Sequence, residues 1–508
     1  MTNRTPWLIS FKNQEDDPPP RPTHPLEPIT EDEIRSESSL SRTSNSSAPG
    51  LSGIGYKLIK WASASNPTRF IDLYNACLSL GHHPWKTAKV VVIPKPGKAD
   101  YSEPKAYRPI SLLECCRKLL EKIVAKRFLA DINSLQLLPP RQFGSRDYHS
   151  AVDAASVLVH TVESCLNARR VAAVLLFNIQ GFFNNIHQGR AAQVLRNLGF
   201  PASVCDWVAS FLWDRRVFLS FNKKESDPFD VNSGTPQGSP LSPILSALYT
   251  SPLLHKLQAW NNRDLSLYVD DGSIIATGPT YRSTAQAIAS GFDTAWLKRN
   301  GLRAEPDKTE LMSFAPKHPK PSPIYGTPIT SLALRDPYRG TYTVRPQTTM
   351  RYLGIFLHHR LDWSHHAKIM AMRAQSVVRS LHILGNSVRG LNFANWQKVY
   401  HAIVLPVLAY GAPVWYTGVR QKKICQTLQI AQNDAIRRIT GCFRTTPTEP
   451  LHSLISIPPI KYTLDQALDK IRNNYKDRDN RPSQTCRTNY LPFSLHAHMW
   501  TYMQQVSI

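Results

Sequence analysis

What this 508-residue chain is short of is acid: 37 Asp and Glu stand against 61 Lys and Arg, a formal net charge of +24. An imbalance of that size points to a polyanionic partner, most often nucleic acid, with an anionic membrane surface as the alternative. Long apolar runs are missing too. The longest uncharged one, AIVLPVLAYGAPVWY at 402–416, is broken by Pro406 and Pro413. It falls short of the roughly 20 residues that cross a bilayer, so no membrane role is expected. The N-terminal stretch MTNRTPWLISFKNQEDDPPP has no continuous apolar core and resembles no secretory signal, so secretion is not expected. The eight cysteines, at 77, 115, 116, 165, 205, 425, 442 and 486, include no CxxC pair and no zinc-knuckle spacing with histidine. They read as reduced thiols of a nuclear or cytoplasmic protein that is not secreted.

What is present is ordinary for a globular chain, with 42% hydrophobic and 19% charged residues and length enough for several domains. Residues 1–45 are rich in Pro, Ser, Asp and Glu and read as a disordered tail. From 46 to about 360 strands and helices alternate. KVVVIPKP (89–96), VAAVLLF (171–177), RRVFLSF (215–221), LSLYV (265–269) and GSIIATG (272–278) have strand character. SLLECCRKLLEKIVAKRFLADI, GRAAQVLRNLG and STAQAIASGFDTAWLKRNG have helical spacing. Residues 361–475 read as consecutive helices, and 476–508 as a basic tail without a period.

Three short strings carry chemistry. In LSLYVDDGSII (265–275) two adjacent acids, Asp270 and Asp271, sit between two apolar β-like runs, so a hairpin turn would present both carboxylates. An Asp-Gly turn capping a surface hairpin is the plainer reading. A third acid from another strand would change that, because two divalent metals need several anionic oxygens. In NSGTPQGSPLSPILSALYTSPL (232–253) a Gly/Pro/Ser loop precedes an apolar helix, with Gln237 at its tip. In LLFNIQGFFNNI (175–186) an apolar strand stops at an amide, Asn178, where a carboxylate would be the usual chemistry.

In chain order, VIPKPGKADYSEPKAYRPISLL, QFGSRDYHSAVDAA, LLFNIQGFFNNI, SGTPQGSPLSPILSALY, YVDDGSIIATG, GLRAEPDKTELMSF and RYLGIFLHHRLDW resemble the successive blocks of a reverse transcriptase. The branch resembled is that of non-LTR (LINE-like) retroelements, of the fungal type. The resemblance is strong over 46–360 and weaker through AYGAPVWY and NDAIRRITGCFRTTPTEPL. It implies an α+β right-hand polymerase: fingers and palm over 46–360, then a helical thumb-like region over 361–475. It implies an RNA template, a DNA primer and deoxynucleoside triphosphates as partners, and Mg²⁺, with Mn²⁺ as the alternative, as cofactor.

Carried over by position, the resemblance makes Asp270 and Asp271 metal ligands, joined by the residue at 178 and the backbone carbonyl of Ile179. Phe183 falls where the family has the steric gate against a ribose 2′-hydroxyl. Lys95 and Arg108 would meet the triphosphate. Gln237 would lie along the template–nucleotide pair, Lys308 would donate a proton to the leaving pyrophosphate, and Tyr352, Leu353 and Gly354 resemble the primer-grip turn. The departures are Asn178 and Asn184 where the family has Asp, and Arg117 where it usually has Gly. A hard cation prefers carboxylate, so polymerisation is expected to fall about a thousandfold, or about 4 kcal/mol. Each departure can be a single G-to-A change. With neither an endonuclease-like nor a ribonuclease H-like segment in the sequence, the expectation is a degenerate or truncated copy. Two alternatives to a polymerase are a basic nucleic-acid-binding relic and, more remotely, a splicing maturase on the same fold.

Overall fold

The computed structural model describes residues 17, 19–36, 40–41, 43–258, 262–292, 294–316, 323–336, 338–381, 391–418 and 421–479. Residues 480–508, nearly all of the expected basic tail, and Cys486 lie outside them. The seven cysteines among the described residues form no disulfide.

Runs of β-branched and apolar residues become the strands. β1 (Thr87–Pro94) and β2 (Tyr107–Leu112) form an antiparallel hairpin. β3 (Val171–Asn178) is a central strand of a separate sheet. β4 (Arg215–Phe221) runs parallel to β1, and β5 (Lys224–Glu225) and β6 (Phe229–Val231) pair with β4. The hairpin of β7 (Arg263–Tyr268) and β8 (Asp271–Gly278) joins β3 through β8, and β9 (Glu310–Phe314) closes the other side. The order is β7-β8-β3-β9, every neighbour antiparallel. β10 (Leu332–Asp336) with β11 (Gly340–Val344), and β12 (Thr349–Tyr352) with β13 (Ile355–His358), are two further hairpins.

Helices cover both faces of the four-stranded sheet. Among the described residues the helices up to 380 are α1 (Glu31–Arg35), α2 (Tyr56–Ser65), α3 (Pro67–Ser79), α4 (Cys115–Ser134), α5 (Ala151–Asn167), α6 (Gln188–Asn197), α7 (Ala202–Leu212), α8 (Ser242–Gln258), α9 (Tyr281–Gly291), α10 (Thr294–Arg299) and α11 (Ser364–Ser380), of which α5 packs on one face of that sheet and α8 and α9 on the other. The described residues beyond 390 are mostly helical, the longest pieces among them being Lys422–Thr440 and Ile460–Asp479. β3 separates two cores. Ala173, Leu175 and Phe177 pack with Leu119, Val194, Trp207 and Leu248 of α4, α6, α7 and α8. Ala172, Val174 and Leu176 pack with Leu158 of α5, Met370 of α11 and Leu428 of the 422–440 helix. Because both of its faces are buried, the strand is apolar without alternation.

The expected disorder of residues 1–45 is corrected over their described part, which forms a strap across the first core. Ile29, Ile34 and Leu40 are buried. Thr30 and Glu33 make a capping box on α1. Arg127 of α4 grips Glu33 with both Nε and Nη2 at 2.7 Å and also donates to the carbonyls of Glu27 and Pro28. Asn75 of α3 exchanges hydrogen bonds with the Ile29 backbone at 2.7 and 3.3 Å. Arg190 of α6 forms a buried, two-pronged ion pair with Asp17. A polar average over 45 residues hides three isoleucine and leucine side chains, and those are what hold the segment down.

α4 carries a buried polar network. Arg117 Nε donates to Glu121 Oε1 at 2.5 Å, Nη1 to the Trp85 carbonyl at 2.7 Å, and the guanidinium lies 5.2 Å from the Phe211 ring centre. Arg117, one of the departures, is therefore accommodated rather than a lesion in the fold. His83 lies 3.7 Å from Glu121, too long for a hydrogen bond, among Trp85, Trp207 and Phe211. Burial first, then the Arg117 charge, pushes its pKa down to about 4. Unfolded, this histidine binds a proton below about pH 6.5. The folded state binds fewer protons, so stability is full above pH 6.5 and falls as pH drops towards 4, by about 3 kcal/mol. Denaturant midpoints between pH 7 and 4.5 should show this loss, and His83→Leu should lack that part of it.

Candidate active site

The β7–β8 hairpin turns through Val269 and Asp270, with Val269 at φ 59°, a left-handed conformation costly for a β-branched residue. The turn is held from behind. The Phe143 N–H donates to the Leu267 carbonyl at 2.9 Å, and Gly144 lies so close to Val269 N that a Cβ there would sit 2.5 Å away. This gives the QFG string its place. Gly272 is needed for a different reason from a turn: a Cβ on it would meet the Phe177 ring at 2.2 Å.

Register then brings the acids to β3. Asn178 pairs with Asp271, and its Nδ2 donates to Asp270 Oδ2 at 3.0 Å and Asp271 Oδ1 at 3.1 Å. Alternation along β3 puts Asn178, with its partner Asp271, on the Leu176 face, the side of the second core. The Ile179 N–H donates to the Asp270 carbonyl at 2.8 Å, locking the end of β3 to the turn, with its side chain in the first core. Burial pushes the Asp271 carboxyl upward; the Asn178 bond opposes this, Asp270 adds to it, and Lys308 and Arg351 oppose it.

Lys308 reaches this field from the turn Pro306–Lys308, which is tied to β3 by the Glu305 N–H on the Asn178 carbonyl at 2.8 Å. Its Nζ pairs with Glu305 Oε2 at 2.5 Å. Lys95 follows β1 and donates to the Lys105 carbonyl at 2.8 Å. Burial lowers its pKa, and Lys98, Arg108 and Lys308 lower it further, so these four cations share one field. Arg108, exposed on β2 opposite Ile93, forms no ion pair among the described residues.

Phe183 is half-buried in the turn Phe182–Asn184, its carbonyl accepting the Thr235 N–H at 2.6 Å. The 232–241 loop thus packs on this turn, and a Cβ on Gly234 would sit 2.5 Å from Asn184 Cα. Gln237 Nε2 lies 3.4 Å from Asn184 Oδ1, and its carbonyl accepts the Ser111 N–H at 2.7 Å. Asn184 therefore sits with Gln237 and makes no hydrogen bond to the carboxylates. Leu353 and Gly354 both have positive φ, as the two-residue turn between β12 and β13 demands. The Tyr352 hydroxyl is buried and accepts from Ser273 Oγ at 3.3 Å.

Residue-by-residue reading missed Glu305, Glu310 and Arg351. Glu310 on β9 is half-buried beside Leu176, its carboxyl pushed up by burial. The signal for Glu305 was an acid three residues before Lys308. For the other two the string offers none, since only strand order places them.

The donor set does not fit a pair of divalent cations. Two carboxylates are present, and the third group turns its N–H side, not its oxygen, towards them. Among the described residues no group of three His, Cys, Asp or Glu could hold a metal ion. Nor is any described helix long and apolar enough to cross a membrane.

The family described as "Reverse transcriptase (RNA-dependent DNA polymerase)" matches residues 93–357, more than half of the chain. The chain is 27% identical, over 92% of its length, to the probable RNA-directed DNA polymerase from transposon BS of Drosophila melanogaster. It is 27% identical over 91% to that from transposon X-element, and 24% over 90% to that from mobile element jockey, of the same organism. It spans about half the length of these curated relatives. They are insect elements, which leaves the fungal type without support. Apo telomerase from Candida tropicalis, truncated from its C-terminal domain, aligns with a TM-score of 0.38 at 12% identity, over 60% of this chain and 59% of the other. The extent of the family match, together with a mixed fold in which β3 and the β7–β8 hairpin meet at Asn178, Asp270 and Asp271, leads to one conclusion: this chain belongs to the reverse transcriptase family.

Proposed function

We propose that the chain is the polymerase portion of a non-LTR retrotransposon RNA-directed DNA polymerase whose two-metal nucleotidyl transfer is disabled at Asn178. The observation that carries this is the double hydrogen bond from the Asn178 amide to Asp270 and Asp271. The family generally uses divalent metal ions, here Mg²⁺ or Mn²⁺. In this reading Asn178 leaves that cation two carboxylates and the Ile179 carbonyl, and answers their charge with amide hydrogens instead. In the same reading the other site residues act around it. Lys95 and Arg108 face the triphosphate of a deoxynucleotide. Phe183 crowds a ribose 2′-hydroxyl, and Gln237 lies along the pair between RNA template and nucleotide. Lys308 holds a proton for the leaving pyrophosphate, and the Tyr352–Gly354 turn takes the DNA primer. Primer extension on an RNA template, comparing the wild type with Asn178→Asp, tests the reading.

A second reading, a non-catalytic nucleic-acid binder, is favoured by the +24 charge, which does not depend on the metal site. If six to ten phosphates are contacted, affinity for primer–template should fall by about 10³–10⁵ between 50 and 200 mM salt. Titration of labelled duplex at several salt concentrations measures that slope. Tight binding by a wild type that extends nothing even after Asn178→Asp would favour this second reading.

A further inference from the structure

We propose that Glu121 is a positioning residue: through the Ser239 hydroxyl it holds the loop that carries Gln237, with Arg117 as its fixed counter-charge. This rests on the reading of Gln237 as lying along the template–nucleotide pair.

Glu121 is fully buried on α4. A buried carboxylate survives only if it is paired and its oxygens are occupied. One oxygen takes Arg117 Nε; the other takes Ser239 Oγ at 2.6 Å. Ser239 is itself buried, and its oxygen accepts the Leu241 N–H at 3.1 Å, which shapes the entry to α8. Two residues before it, the Gln237 carbonyl accepts the Ser111 N–H at 2.7 Å, joining the loop to β2, the strand of Arg108. Gly238 between them has φ 121° and no room for a Cβ, which would lie 2.7 Å from the Ser111 carbonyl. The loop is thus clamped from below by a charge-assisted bond and from the side by β2. Gln237 is the side chain between the clamps, reaching across to Asn184. His83 beside Glu121 makes no hydrogen bond to it, so Arg117 is the cation that keeps the acceptor charged. This gives a role to a residue that looked like damage in the string.

Glu121→Ala would strand Arg117 as a buried unpaired charge and unfold the region, so Ser239→Ala is the informative variant. Backbone amide exchange is measured on the full chain, wild type against Ser239→Ala and Ser239→Thr. Exchange at Ser111, Ser239 and Leu241 should speed up about tenfold to a hundredfold in Ser239→Ala, the effect of one charge-assisted bond. The β3 and β8 amides should stay unchanged, and Ser239→Thr, which keeps the hydroxyl, should restore protection. In the Asn178→Asp background, Ser239→Ala should raise the KM for the templated deoxynucleotide about tenfold, with kcat and primer–template Kd within about twofold. Unchanged exchange in Ser239→Ala overturns the proposal. So does a loosened loop with an unmoved KM in a background that extends primers. If that background extends nothing, the failure belongs to the reading of Asn178, and the exchange result alone decides whether Glu121 holds the loop.

Discussion

Asn178→Asp should raise primer extension on an RNA template about a thousandfold over the wild type, equal to about 4 kcal/mol in the barrier. The register of β3 and β8 puts the residue directly opposite Asp271, with Asp270 at 3.0 Å, so a carboxylate there completes a three-acid cluster without backbone change. Asn184→Asp alone should do little. Its side chain lies against Gln237, so the two Asp-to-Asn departures, equivalent in the string, are unequal in the fold. The double variant should therefore extend about as well as Asn178→Asp. A wild type that extends as fast as Asn178→Asp would end the reading of a disabled ligand. Activity seen only in the double variant would show that Asn184 has been misplaced.

The second large effect is on stability rather than rate. Without divalent metal, Asn178→Asp should be less stable than the wild type by about 2 kcal/mol, because two charge-assisted hydrogen bonds become like-charge repulsion. Millimolar Mg²⁺ should return that loss to the variant, since a ligand at about 100 times its Kd adds about 2.7 kcal/mol. The wild type, whose amide already occupies the space between the carboxylates, should barely respond. Denaturant midpoints with EDTA and with Mg²⁺ measure both. Equal stabilisation of the wild type by Mg²⁺ would show that Asp270 and Asp271 suffice as a metal site.

Five strands, β1, β3, β4, β7 and β8, were legible because their signal is local; the other eight among the described residues were not read. VAAVLLF is apolar throughout since β3 is buried on both faces, and the two acids between apolar runs do fall at a hairpin, Asp270 in its turn with Val269 and Asp271 at the head of β8. Helix limits were legible from spacing, though the stretch expected as one helix from Ser283 is two, α9 and α10. Composition misled at the N-terminus, where three buried aliphatic side chains outweigh a polar average. A few contacts, not a mean, decide whether a segment docks.

By itself, the order of residues determined the family, the β-strand character of the palm-like sheet, the basic surface and the absence of an acid at 178. Each is a property of single residues or of neighbours along the chain. What only the tertiary structure decided was which groups meet. Strand order brought Asn178 to both carboxylates and left Asn184 with Gln237. A helix packed under a loop joined Glu121 to Ser239, 118 positions apart. Hydrogen bonds between residues so distant depend on register and packing, which are set when the cores close and are written in no single stretch of sequence.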